Sequence, residues 1–188
     1  MRKIILMLMI TGLFLFKGGA VMAEYQAGGS AQLSLSVKIA KEEQKAQDLK
    51  RKELAIKSVL NRYDSPMAGD AKSFIETCTK YNLDCYLLPS IAGLESTFGR
   101  FIWPNSYNAF GWARGYMMFD NWGEGIDTVG KGLRENYMDN WGALGVYEIG
   151  PIYSESATWA VRVEWFKKEF EKEEEKLSLI SSDFPVKL

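Results

Sequence analysis

The sequence predicts a mainly α fold with at most a short β-hairpin, preceded by a long N-terminal helix. Three observations carry that expectation. Residues 31–63 contain neither Pro nor Gly and are dominated by Lys, Glu, Gln, Ala and Leu, which form helices readily. Pro89 and Gly99 bracket a stretch in the way that a first turn and a stop bracket a helix. No long strand pattern is convincing anywhere in the chain.

Taken in order, Arg2 and Lys3 precede an apolar run over 4–16 that is too short to span a bilayer comfortably, and Val21-Met22-Ala23 offers small residues for cleavage. The reading is a secretory signal over 1–23. Its rival is an uncleaved membrane anchor, against which Lys17, Gly18 and Gly19 argue. No Cys follows to carry a lipid. Residues 26–30 (Gln-Ala-Gly-Gly-Ser) read as a flexible lead-in, so that 24–63 comprises this lead-in and a long polar helix. The helix keeps its apolar spacing only in patches, and 41–52 is nearly all polar. It is expected to reach away from the following domain, or to pack on it only through its last turns.

The domain itself is expected over 64–175, with a tail over 176–188. Asp64-Ser65-Pro66-Met67 breaks the long helix, and Asp70 is placed to cap a helix over 71–81 that buries Phe74, Ile75 and Cys78. Next come the Glu95 helix and an irregular stretch over 100–122, too long for a mere connection. A helix over 123–137 buries Ile126, Val129 and Leu133. A Gly-rich connection leads to Pro151, and a last helix starts near Ser154 or Ser156. It buries Trp159, Val163, Phe166 and Phe170, and its charge run over 167–176 reads as a solvated end.

Composition excludes several chemistries. The chain has no His, which removes Ser-His-Asp and Cys-His catalysis, and two Cys alone make a zinc site untenable. A net charge of −1 with no clustered basic stripe gives no basis for recruiting nucleic acid. Export would place Cys78 and Cys85, seven apart across the turn at 81–84, in an oxidising compartment, where a disulfide could clamp the corner. The alternative is two small buried hydrophobes.

The chemistry centres on Glu95. Ile91, Glu95 and Phe98 fall at i, i+4 and i+7, which gives the acid apolar neighbours on one helix face. Burial disfavours the charged carboxylate, so an acid in such a place can stay protonated near neutral pH and donate a proton. A plain Glu on a solvated helix edge is the alternative. A partner carboxylate would come from Asp120, Glu124 or Asp127, although acidic residues at a helix start are equally explained by its dipole. The 100–122 stretch supplies Trp103, Tyr107, Phe110, Trp112, Tyr116 and Phe119 among Gly and Asn, a mixture suited to stacking on sugar rings.

Glu95-Ser96-Thr97-Phe98-Gly99, followed by Tyr107-Asn108-Ala109-Phe110-Gly111-Trp112, resembles the E-S-x-x-G and N-x-F-G pattern of bacterial glucosaminidase domains, relatives of lytic transglycosylases and goose-type lysozymes. The resemblance covers roughly 65–170, and Phe119-Asp120-Asn121-Trp122 matches the Phe-x-x-Trp lead into the following helix. It implies a lysozyme-like domain with Glu95 as catalytic acid and the Asn-x-Phe-Gly turn lining the cleft. It further implies that a transglycosylase needs no second carboxylate. Trp159 stands where the family places a tyrosine, with Tyr153 as the nearby phenol, and the Gly-Leu-Met-Gln segment of many transglycosylases is missing.

The expectation is thus an exported peptidoglycan glycosidase cleaving β-1,4 bonds between amino sugars. Glu95 is its acid, and Ser96, Trp103, Tyr107, Asn108, Phe110, Gly111, Trp112 and Tyr153 are its substrate contacts. No metal or organic cofactor is expected. The polymer is the partner, with a protein partner or self-association through the helix over 31–63. A silent glycan-binding domain on the same fold is the alternative.

Overall fold

A computed structural model describes residues 19–183. The basic and apolar part of the expected secretory signal, 1–18, lies outside them. Six helices follow one another: α1 (Gly19–Arg62), α2 (Ala71–Tyr81), α3 (Leu87–Ser96), α4 (Trp122–Gly132), α5 (Val146–Tyr153) and α6 (Trp159–Asp183). The fold is mainly α, as expected, and among the described residues there is no strand, so the hairpin allowed for 100–122 is not formed. Nor is any described helix long and apolar enough to cross a membrane.

Two compact units divide the chain, Met1–Lys45 and Ala46–Leu188. In the first, α1 runs through residues 26–30, where a flexible lead-in was expected, because neither Gly28 nor Gly29 is accompanied by a Pro to remove a helix hydrogen bond. Leu33, Leu35, Val37 and Ile39 are all exposed on it. The second unit begins well before residue 64: Ala55, Ile56, Val59 and Leu60, in the last turns of α1, are fully buried. They join Phe74, Leu88, Ile91, Phe98, Phe110, Ile126, Leu133, Ile149 and Phe170 in one core. Within it α3 packs chiefly on α6, α2 on α4, and α5 on α6.

The charge run of α6 is not a solvated end. Glu174 accepts from Lys52 at 2.9 Å, from Arg51 at 3.4 Å and from the Tyr86 hydroxyl at 2.7 Å. The neighbouring Glu173, itself buried, accepts from Ser58 at 2.8 Å and lies 3.5 Å from Arg62. Polar residues on both helices thus face each other across a seam, and α6 continues into the region 176–183 read as tail. Periodicity alone cannot tell a solvated charge from one with a partner more than a hundred residues away.

Local punctuation departs from expectation at several points. Asp70 precedes α2 but makes no side-chain cap. Cys78, at the end of α2, and Cys85, just before α3, form a disulfide. On the far side of the 100–122 stretch, α4 is capped by Asn121, whose side chain accepts from the Glu124 amide at 2.9 Å, while Glu124 accepts from the Asp120 amide at 2.6 Å. It then widens into π-helical turns over Leu133–Asn140. The Gly-rich connection before Pro151 holds a helix of its own, α5, whose start is secured by Glu148 accepting from the Gly145 amide at 2.7 Å. Pro151 falls in its last turn, where it removes one donor only. Consequently the last helix starts at Trp159, later than the serines at 154 and 156.

Candidate functional site

α3 ends at Ser96, three residues before the glycine expected to stop it. Thr97, Phe98 and Gly99 all take left-handed backbone (φ 51°, 58° and 80°). For a β-branched residue such as Thr97 this conformation is strained, so surrounding bonds must hold it. Amides of Thr97 and Phe98 return to the carbonyls of Gly93 (3.2 Å) and Ala92 (2.9 Å). The Ser65 hydroxyl donates to the Phe98 carbonyl at 2.8 Å. The Phe98 ring, fully buried, turns into the core against Phe166 and Phe170. Phe98 is therefore not on the Glu95 face of a continuing helix; it is the peg that fixes where α3 stops.

Ser96 and Asn108, expected as substrate contacts, are occupied internally. The buried Ser96 hydroxyl donates to the Ala109 carbonyl at 2.8 Å and accepts from the Gly99 amide at 2.8 Å. Buried Asn108 donates through Nδ2 to the carbonyls of Trp112 (2.8 Å) and Met117 (3.2 Å) and accepts from the Trp112 amide at 3.2 Å. Both side chains hold the loop over 108–117 against the end of α3. Phe110 is fully buried, and Tyr107 packs edge-on against Trp122 with centroids 5.1 Å apart, away from the cleft.

The loop so held separates two hollows. The first, about 630 Å³, has Glu95 on its wall with Phe101, Trp103, Pro104, Asn108, Gly111, Arg114 and Tyr116. Trp103 and Tyr116 pack together at 5.4 Å and are both exposed. The second, about 470 Å³, is lined by Trp112, Asn136, Tyr137, Trp141 and Tyr153, and shares Gly111 and Arg114 with the first. Of the expected contacts, Trp103, Gly111, Trp112 and Tyr153 line a hollow with free surface, Ser96 and Asn108 line the first hollow as buried residues, and Tyr107 and the Phe110 ring line neither.

Glu95 opens onto the first hollow, so the residue as a whole is exposed. Its carboxyl is nonetheless crowded from behind. The Trp159 indole N–H donates to Oε1 at 2.7 Å, and a β-carbon on Gly111 would stand 3.2 Å from Oε2. Withdrawal from bulk water raises the Glu95 pKa above the usual carboxylate range, and the Trp159 donor and the Arg162 charge pull against that rise. Trp159 is buried and stacks on Tyr153 at 4.8 Å, and the Tyr153 hydroxyl donates to the Phe110 carbonyl at 2.7 Å. Burial, and then the Glu95 charge, push the Tyr153 phenol well up, so it stays protonated and acts as a donor. Sequence reasoning placed Trp159 in the core and missed its bond to Glu95, since the acid it meets lies 64 residues earlier.

The expected partner carboxylates do not reach this site. Glu124 caps α4, Asp127 is bound by Lys80 at 2.8 Å and Tyr81 at 3.1 Å, and Asp120 does not line the first hollow. Among the described residues Glu95 is the one acid lining it. Among the described residues no cluster of His, Cys, Asp and Glu is disposed to hold a metal ion. Neither a protein-family model nor a curated protein matches the chain.

Proposed function

We propose that this protein is an exported peptidoglycan glycosidase that cleaves β-1,4 bonds between amino sugars with Glu95 as general acid. The observation that carries the reading is the setting of Glu95: a carboxyl with a raised pKa, oriented by an indole N–H, on the wall of an open hollow that also presents Trp103 and Tyr116. A protonated Glu95 gives its proton to the glycosidic oxygen as the bond from C1 to that oxygen breaks. The aromatic faces suit the apolar faces of sugar rings.

With no second acid on this hollow, the resulting carboxylate takes a proton from the sugar's own hydroxyl as that oxygen bonds to C1. This closes an anhydro ring, the outcome of a lytic transglycosylase. The Cys78–Cys85 disulfide supports residence in an oxidising compartment outside the cytosol, secreted or in the cell envelope. One observation favours a second reading, a silent glycan-binding domain: the phenol of Tyr153 is committed to the Phe110 carbonyl and does not face Glu95 as a donor.

Digestion of purified peptidoglycan by the protein and by its Glu95→Gln variant, with fragments identified by mass, separates the readings. Fragments lighter by one water, lost in the variant, support the transglycosylase. Binding without release by either protein refutes the enzyme.

A further inference from the structure

The cation that bears on Glu95 is Arg162. A different one, Arg114, lies on the rim that the two hollows share. It is exposed, and its guanidinium makes no ion pair with any acid among the described residues, although fifteen such pairs exist elsewhere. Its backbone is held left-handed (φ 56°), as is that of Ala113 before it (φ 51°), between Gly111 and Gly115 in the same region. Such backbone is strained for a non-glycine residue, and it persists at ligand clamps where the surroundings impose it. Here the surroundings are the three bonds made by Asn108, which pin the turn.

Among the described residues no acid lines the second hollow. Its aromatic side chains include Trp141, 58% exposed, with Tyr137 at 5.1 Å, and its polar side chains include the Asn136 amide. A glycan chain laid past Glu95 and across Gly111 would set one sugar ring in each hollow, with Arg114 at the crossing. An uncharged polymer leaves that guanidinium unused. A chain carrying carboxylates next to the ring uses it, since guanidinium and carboxylate match as a two-pronged hydrogen-bonded pair.

We propose that Arg114 selects glycans bearing a carboxylate beside the sugar ring, namely muramyl residues whose lactyl carboxylate is free of peptide, over uncharged chitin-like chains, by holding that carboxylate between the two hollows. The inference rests on the reading of the cleft as a glycan site, and the experiment keeps the two apart. The Glu95→Gln variant is titrated with a peptidoglycan tetrasaccharide stripped of its stem peptides, so that its lactyl carboxylates are free, and with chitotetraose, and binding is followed by tryptophan fluorescence and calorimetry.

The expected result is tighter binding of the peptidoglycan fragment by about three- to tenfold, the range for one partly exposed charge-assisted contact. Raising the salt should narrow the gap. Adding Arg114→Gln should remove the preference, weakening the muramyl ligand more than chitotetraose, and Arg114→Lys should restore part of it; both variants are checked for an unaltered melting temperature. Equal affinity for the two ligands, or a preference that survives Arg114→Gln, overturns the role of Arg114 and leaves the glycan reading standing. Binding of neither ligand overturns both.

Discussion

Replacing Trp159 by Phe removes the indole N–H that lies 2.7 Å from Glu95 Oε1 while keeping an aromatic ring against Tyr153. A hydrogen bond to a charged group contributes about 1.5–3 kcal/mol, and one pH unit corresponds to about 1.4 kcal/mol. Losing the donor therefore raises the Glu95 pKa further, by less than the full strength of that bond because the hollow lets water take the donor's place. The direction follows from the donor's preference for the carboxylate, which at present opposes the rise due to burial. The assay is a carbon NMR titration of Glu-labelled protein, with Glu95→Gln identifying the resonance. In an active enzyme the alkaline limb of fragment release moves up with it.

Stability changes with the same titration. A carboxyl whose folded pKa exceeds its unfolded value contributes fully below the unfolded value, and that contribution is lost as pH rises through the folded pKa. In Trp159→Phe the loss extends to higher pH, so the melting temperature of the variant falls further behind as pH climbs above the ordinary Glu range. A Glu95 titration that is unmoved, or moved down, refutes the reasoning.

A chain starting at residue 46 should melt cooperatively, whereas one starting at 64 should not fold. The second lacks Ile56, Val59 and Leu60, all fully buried, each contributing about 1.5–3 kcal/mol. Together these approach the whole stability of an ordinary domain, about 5–15 kcal/mol. A cooperative melt of the shorter chain by circular dichroism counts against that role of the α1 turns. Gly132→Ala puts a β-carbon into the Trp112 ring and should cost about 1–3 kcal/mol as the indole is displaced. Unchanged melting and unchanged tryptophan fluorescence would mean that the ring does not pack there.

What the sequence disclosed was local. α2 could be read to the residue because its breaker, its buried stripe at Phe74, Ile75 and Cys78, and the turn at Asn82 all lie within a dozen residues. Glu95 stood out for the same reason: its helix and the aromatic loop after it are neighbours in the chain. Partnerships across the chain were not legible. Ser96, Asn108 and Phe110 carry residue types common to both a binding cleft and a buried loop staple, and only the fold shows that their polar atoms are spent on Ala109, Trp112, Met117 and Tyr153. Trp159 was legible as core, but its polar edge was not, since the acid it meets lies 64 residues earlier. α5 was hidden by Gly150 and Pro151, whose breaking tendency has little effect in a last turn.

The seam joining residues 51–62 to Glu173 and Glu174 bears on how the chain comes to be folded. Its partners are separated by as many as 123 residues, and they tie the first helical turns of the compact unit to nearly its last. A chain delivered from its N-terminus, whether by synthesis or by threading through a pore, holds Ile56 and Leu60 without a lid until α6 has arrived. Folding is consequently deferred to the end of delivery, and the long loop that must then close makes it slow. Were the chain exported as proposed, this order of events would be an advantage: the hollow at Glu95 is not completed until the helix that begins at Trp159 has followed.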